Sequence, residues 1–218
     1  MITDPLAIAG MVAYKFIPFL FALCFHEYAH GWVAKLRGDN TAEMMGRLTM
    51  NPLVHMDLIG TFILPILAII MPGMLFFGWA KPVPVNARNL KNPTVDMFWI
   101  ALAGPLSNVF LALVATFGIW SLKHFFTGFA YFQATAQLLA MFMGVNLFLA
   151  FFNLIPLHPL DGGKVLARFL PKQLNYKLEQ NEHITSMILL ALFMFGAIRF
   201  LAIPVEIAYE LLMRLALG

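Results

Sequence analysis

Charge is scarce in this chain, and its scarcity excludes more than any single motif does. Only 11% of the 218 residues are Asp, Glu, Lys or Arg, where a soluble domain carries about a quarter. With 61% hydrophobic residues and a mean hydropathy of +0.81, there is too little polar surface to coat a water-soluble fold. The sequence reads as a polytopic membrane protein. A single cysteine, Cys24, excludes an internal disulfide, and a lone thiol at this place suits packing better than metal ligation. No stretch interleaves basic and aromatic side chains as a nucleic-acid groove would. Repeats, low-complexity tracts and soluble stretches of domain size are also missing. The net charge of +3 comes from a few Lys and Arg in the connections, which suits loops facing anionic lipid. Residues 1–10 lack the basic start of a secretory leader, so the first apolar run is expected to stay in the protein.

Five apolar runs, at about 6–34, 58–80, 97–122, 132–157 and 184–203, each approach the ~20 residues that a spanning helix needs. Pro18 is expected to bend the first. Lys81-Pro82-Val83-Pro84-Val85-Asn86 has prolines at alternate positions, which permits an extended edge but not a central strand. Residues 205–217 space Glu206, Glu210 and Arg214 four apart, the pattern of an amphipathic interfacial helix. The expected fold is an all-α polytopic membrane protein with about four to five transmembrane helices, a re-entrant hairpin and a short β-strand or hairpin element. Residues 1–218 are expected to form one membrane-embedded domain.

Within the first run stands His26-Glu27-Tyr28-Ala29-His30. Histidines four apart share one helix face, so both imidazoles can reach a single ion. A glutamate beside the first can take a proton from a water held there, the metalloprotease arrangement. If the helix spans from Lys15 to Lys35, His26 lies roughly 16 Å and 14 Å from its ends, so the ion would sit at membrane depth. Ionisable groups at that depth are functional hypotheses by default. A catalytic zinc takes three protein ligands, and Asp161 is the best third candidate. It follows Pro156 and Pro159, which unwind the end of an apolar run where irregular backbone must line a cavity. An aspartate here would also cap the following helix, and both roles stay open at this level.

Three stretches together carry a resemblance: the His26–His30 motif, Gly104-Pro105-Leu106-Ser107-Asn108, and Asn153 through Gly163. With Asn51-Pro52-Leu53 and Gly78 through Asn86, they resemble the site-2 protease family of intramembrane zinc metalloproteases, in its compact prokaryotic branch. The resemblance covers about residues 20–170. It implies one zinc ion held by His26, His30 and Asp161, with Glu27 as general base and Asn153 holding the substrate peptide or its oxyanion. His158 departs from the family pattern, and as a polar group it is a candidate for metal contact or a supporting role. His55 is a candidate for the site entrance, or a loop histidine satisfied by backbone. Ser107 and Asn108 read as small or hydrogen-bonding packing residues between helices.

For His30 and Asp161 to share an ion, their segment ends must reach one side of the membrane. One of the three intervening runs must then fail to cross. The run 58–80, interrupted by Pro65 and Pro72-Gly73, is the expected re-entrant hairpin. The basic loops 35–57, 81–96 and 158–183 then face the cytoplasm, placing the site toward the cytoplasmic side of a prokaryotic inner membrane. The expected substrate is a single-pass membrane protein cut in or near its transmembrane segment, in contact with lipid and without nucleic acid. The rival is a metal-ion transporter that lacks proteolytic activity, for which Glu27 would have no use. A diiron oxidase would need more His and carboxylate ligands than the chain offers at matching depth.

Overall fold

The structure is a computed structural model that describes residues 5–71, 78–194, 196 and 199–218. Its helices, in chain order, are α1 (Pro5–Leu36), α2 (Thr41–Met44), α3 (Pro52–His55), α4 (Leu64–Ile70), α5 (Pro93–Phe125), α6 (Phe132–Asn153), α7 (Asp161–Ala167), α8 (Lys172–Gln180), α9 (Glu182–Met194) and α10 (Arg199–Leu217). A π-helical turn, Leu58–Ile63, leads into α4. Among the described residues three helices are long and apolar enough to cross a membrane: Ala9–Leu36 of α1, then α5 and α6.

These three form the framework. The buried faces of α1 and α6 meet through Phe19, Ala22, Leu23 and Leu149. Ala112 and Ala115 of α5 meet Met143 and Leu147 of α6, and α10 closes this layer with Val205, Ala208, Tyr209, Leu212 and Met213. Small residues on α5 let the helices approach closely, the usual solution where lipid supplies no hydrophobic drive for helix association. Pro18 lies inside α1 without ending it. Asn92 opens α5 by accepting from Val95 N–H, with Pro93 at the first helical position, where a missing N–H costs nothing.

The other two runs depart from expectation. The run 184–203 is divided between α9 and α10, with Gly196 between them at φ +72°, a left-handed conformation that a β-carbon disfavours. The tail expected at 205–217 is part of the longer α10, which packs along α6 rather than standing apart. The run 58–80 is not one helix either. Asp57 caps its start by accepting from Ile59 and Gly60 N–H, and the helical part ends at Ile70. The expected break at Pro72-Gly73 lies outside the described residues. By residue 79 the chain is back at its own beginning. Trp79 N–H donates to Gly60 O at 3.1 Å, Thr61 Oγ1 donates to Trp79 O at 2.5 Å, and Lys81 N–H donates to His55 O at 2.8 Å. The two ends of the run therefore lie side by side.

The expected short strand is not formed among the described residues, where the nearest feature is an isolated antiparallel bridge between Met56 and Ala80. The reason is donor supply. Pro82 and Pro84 have no N–H, while Val83 N–H goes to a side chain, the Glu27 carboxylate, at 2.8 Å. The stretch is nevertheless held extended, because Lys81 and Val83 each precede a proline and Asn86 is in the β region. Asp39 clamps its far end. The fully buried carboxylate of Asp39 accepts from Asn86 N–H at 2.7 Å, Asn89 Nδ2 at 2.8 Å and Thr41 Oγ1 at 2.5 Å.

Candidate active site

His26, Glu27 and His30 lie in the second half of α1, all buried. The unwinding at Pro156 and Pro159 turns the chain back after α6, and Asp161 starts α7. Its carboxylate reaches across to α1. Asp161 Oδ2 lies 3.1 Å from His26 Nε2 and 3.2 Å from His30 Nε2, and the two Nε2 atoms are 3.0 Å apart. These three residues are the group among the described residues whose His, Cys, Asp or Glu ligand atoms converge closely enough to hold one metal ion.

The protonation of the two rings follows from their other nitrogens. His30 Nδ1 donates to the main-chain carbonyl of Ile100 at 2.6 Å, which can only accept. His26 Nδ1 faces Asn108 Oδ1 at 2.6 Å. The orientation of the Asn108 amide is set by Nδ2, which donates to Ala22 O at 3.3 Å and Asn146 Oδ1 at 2.9 Å. Both rings are therefore donors at Nδ1, and in their neutral form each presents a lone pair at Nε2.

In that form two lone pairs and a carboxylate oxygen converge with no proton among them. Buried acceptors that face only each other are costly, and a cation relieves all three together. The donor set suits zinc: two imidazoles and a carboxylate are ligands of catalytic zinc sites, each ring is oriented through its far nitrogen, and the 3.0–3.2 Å separations approach the ~3.3 Å that neighbouring tetrahedral ligands at ~2.0–2.1 Å would have. Space is reserved as well. A β-carbon at Gly104 of α5 would sit 2.6 Å from His26 Nε2 and would overlap His30 Nε2, so only glycine leaves room there.

The cluster opens on a cavity of about 570 Å³ lined by Glu27, Trp79, Pro82, Val83, Val85, Phe152, Asn153 and Lys164, among others. Glu27 and the three converging donors therefore share one chamber with the extended stretch. Asn153, at the end of α6, lines it too, with Nδ2 donating to Leu149 O at 3.0 Å. All five residues expected from the sequence are gathered here. His55 and His158 are not. His55 is buried with Nε2 against Thr49 O at 2.8 Å, the loop-histidine alternative in part, since its buried Nδ1 has no partner among the described residues. His158 is buried outside the converging group. Asn108, read from sequence as a hydrogen-bonding packing residue between helices, makes such bonds to α1 and α6 and through one of them meets a ring of the cluster; its α6 partner Asn146 is not singled out by the sequence reading. The signal was available: amides in the middle of apolar runs are as exceptional as charges.

A profile of peptidase family M50 matches residues 14–137 and 121–196. The chain is 35% identical over 192 residues to the Bacillus subtilis protein named "Putative zinc metalloprotease YwhC", covering 84% of this chain and 81% of that one. It is 30% identical over 196 residues to "Putative zinc metalloprotease Rip2" of Mycobacterium tuberculosis, covering 88% of this chain and 70% of the other. A Rip2 of Mycolicibacterium smegmatis is 30% identical over 166 residues, covering 72% of this chain and 58% of its own length. No solved structure matches the chain.

Proposed function

This chain belongs to peptidase family M50, the zinc metalloproteases of site-2 type, and from that premise we propose that it hydrolyses peptide bonds in or beside the transmembrane segment of a single-pass membrane protein. The observation that carries the reading is the convergence of His26 Nε2, His30 Nε2 and Asp161 Oδ2 in a cavity that also holds the Glu27 carboxylate. In it, His26, His30 and Asp161 hold zinc, and residues 1–218 act as one membrane domain. When bound, zinc supplies a Lewis acid that polarises the scissile carbonyl and acidifies water.

The remaining work falls to the chain. Glu27 accepts the proton of the attacking water and passes it to the leaving amine. Its second role is mechanical: by accepting from Val83 N–H it fixes the extended stretch beside the site. A substrate helix must unwind to expose its backbone, and an extended peptide gains affinity by pairing with an open edge, largely without regard to sequence. The Val83 C=O and the Val85 groups, both residues lining the cavity, offer that edge. Asn153 has one amide hydrogen engaged by Leu149 O and keeps its second and its oxygen for the peptide. The side-by-side ends of the 58–80 run support a re-entrant hairpin, with the site toward the cytoplasmic face of a prokaryotic inner membrane.

The test is purified wild type against Glu27→Gln on a single-pass membrane substrate, with zinc content measured on both. The variant is expected to keep one zinc per chain and lose at least about 10²-fold in hydrolysis. Activity within tenfold of wild type would remove Glu27 from the mechanism. Undiminished zinc transport by the variant in vesicles would favour a transporter instead.

A further inference from the structure

We propose that Asn146 is a positioning residue of the metal centre, acting on His26 through Asn108 by a relay of amides that crosses three helices. The inference rests on His26 being a ligand, as proposed above. Asn108 on α5 and Asn146 on α6 are both fully buried in largely apolar helices. Asn146 Nδ2 donates to Phe142 O at 2.8 Å, a main-chain carbonyl that can only accept. That bond turns Asn146 Oδ1 toward α5, where it accepts from Asn108 Nδ2 at 2.9 Å. Asn108 Oδ1 is thereby turned to α1, where it accepts from His26 Nδ1 at 2.6 Å. The relay ends with the proton of His26 on Nδ1 and its lone pair on Nε2, facing Asp161 and His30.

Direction is what the relay transmits. An amide can present either its oxygen or its NH2 group to a ring, and the two choices are opposite in consequence. If Asn108 rotates its NH2 toward Nδ1, His26 must accept there, and the proton moves to the nitrogen that should bind metal. The bond from Asn108 Nδ2 to Ala22 O is the longer of its two, at 3.3 Å against 2.9 Å. Asn146 therefore supplies the stronger lock. Supporting partners of metal-bound histidines typically change metal affinity 10–100-fold when removed.

The relay predicts a rescue that packing does not. A carboxylate at position 108 accepts from Nδ1 in either orientation and needs no lock. Zinc affinity by chelator competition, in detergent-purified protein, is compared for wild type, Asn146→Leu, Asn108→Asp and Asn108→Asp/Asn146→Leu. The single Asn146→Leu change should weaken zinc about tenfold, and the double variant should return to within threefold of Asn108→Asp alone. In ¹⁵N-histidine spectra of the zinc-loaded forms, the His26 Nδ1 proton should be sharp in wild type, broadened in Asn146→Leu and sharp again in the double variant. Unchanged affinity in a folded Asn146→Leu, or a double variant no tighter than Asn146→Leu, overturns the relay while leaving the proposed function intact. Absence of stoichiometric zinc from wild type overturns both. Should Asn146→Leu fail to fold, the wild-type spectrum decides: a His26 proton on Nε2 overturns the relay, and one on Nδ1 supports it.

Discussion

Replacing Gly104 with alanine sets two effects of opposite sign on one methyl group. In a helix interior the change favours folding by about 0.5–1 kcal/mol, because alanine has less backbone freedom to lose. At this position of α5 the same methyl carbon would stand 2.6 Å from His26 Nε2 and overlap His30 Nε2. Ordinary contact begins near 3.5 Å, so a ring or the helix must yield by roughly 0.9 Å. Zinc–ligand distances tolerate only about 0.2 Å. One imidazole is therefore lost from the ligand set, and zinc affinity should fall by at least about 10²-fold, or ~2.8 kcal/mol. Gly118 on the same helix provides the control. Its β-carbon would meet the Leu139 side chain at 3.0 Å, a flexible end that can rotate away, far from the histidines. Chelator competition for zinc and thermal unfolding of metal-free protein, measured on Gly104→Ala and Gly118→Ala, separate the two effects. Gly104→Ala should bind zinc far more weakly, a loss larger than any change in the stability of the metal-free protein. Zinc binding within threefold of wild type would refute the argument that this glycine reserves the space.

Three further outcomes follow from the same geometry. Asp161→Ala removes the one carboxylate that spans both Nε2 atoms and should strip zinc on dialysis; full retention of zinc would take Asp161 out of the ligand set. Cysteines placed at Thr49 and Asn89 in a Cys24→Ser background should label from the same membrane face with an impermeant thiol reagent, since the ends of the run between them are hydrogen-bonded together; labelling from opposite faces means that the run spans. Burial works to raise the Asp39 carboxyl, but hydrogen bonds from Thr41, Asn86 and Asn89 outweigh it and hold Asp39 below the ordinary carboxylate range. A depressed group contributes stability above its unfolded value of about 3.9, lost as pH falls through the folded value. Amide exchange in residues 85–90 should therefore accelerate below about pH 4, and an unchanged exchange rate would contradict the clamp.

What was legible in the sequence was chemistry carried by local spacing. The i, i+4 histidines of α1 and the doubly proline-broken end of α6 each announce themselves within a dozen residues. Less legible was whatever depends on partners across the bundle. Asn108 and Asn146 look alike in sequence, two amides in largely apolar helices, and nothing local says that one meets His26 and the other meets the first. The run 184–203 misled because its apolar composition passes over Gly196, where the chain turns. The strand expected at 81–86 failed for a reason tertiary structure supplies, namely that Val83 gives its N–H to Glu27.

Those alternating prolines have a consequence for company as well as for catalysis. Successive residues of an extended chain point their N–H groups to opposite sides, so Lys81, Val83 and Val85 keep donors on one side. Pro82 and Pro84 leave the other side without donors, and Arg47 Nη2 donates to the carbonyls of Lys81 and Pro82. A stretch with two usable edges, lying open in a membrane crowded with unwinding helices, would recruit copies of itself as readily as a guest. This one has donors along one edge alone, where Lys81 N–H meets His55 O and Val83 N–H meets Glu27. Under the proposed function, what remains for a visiting chain is the Val83 C=O and the Val85 groups, beside the converging donors.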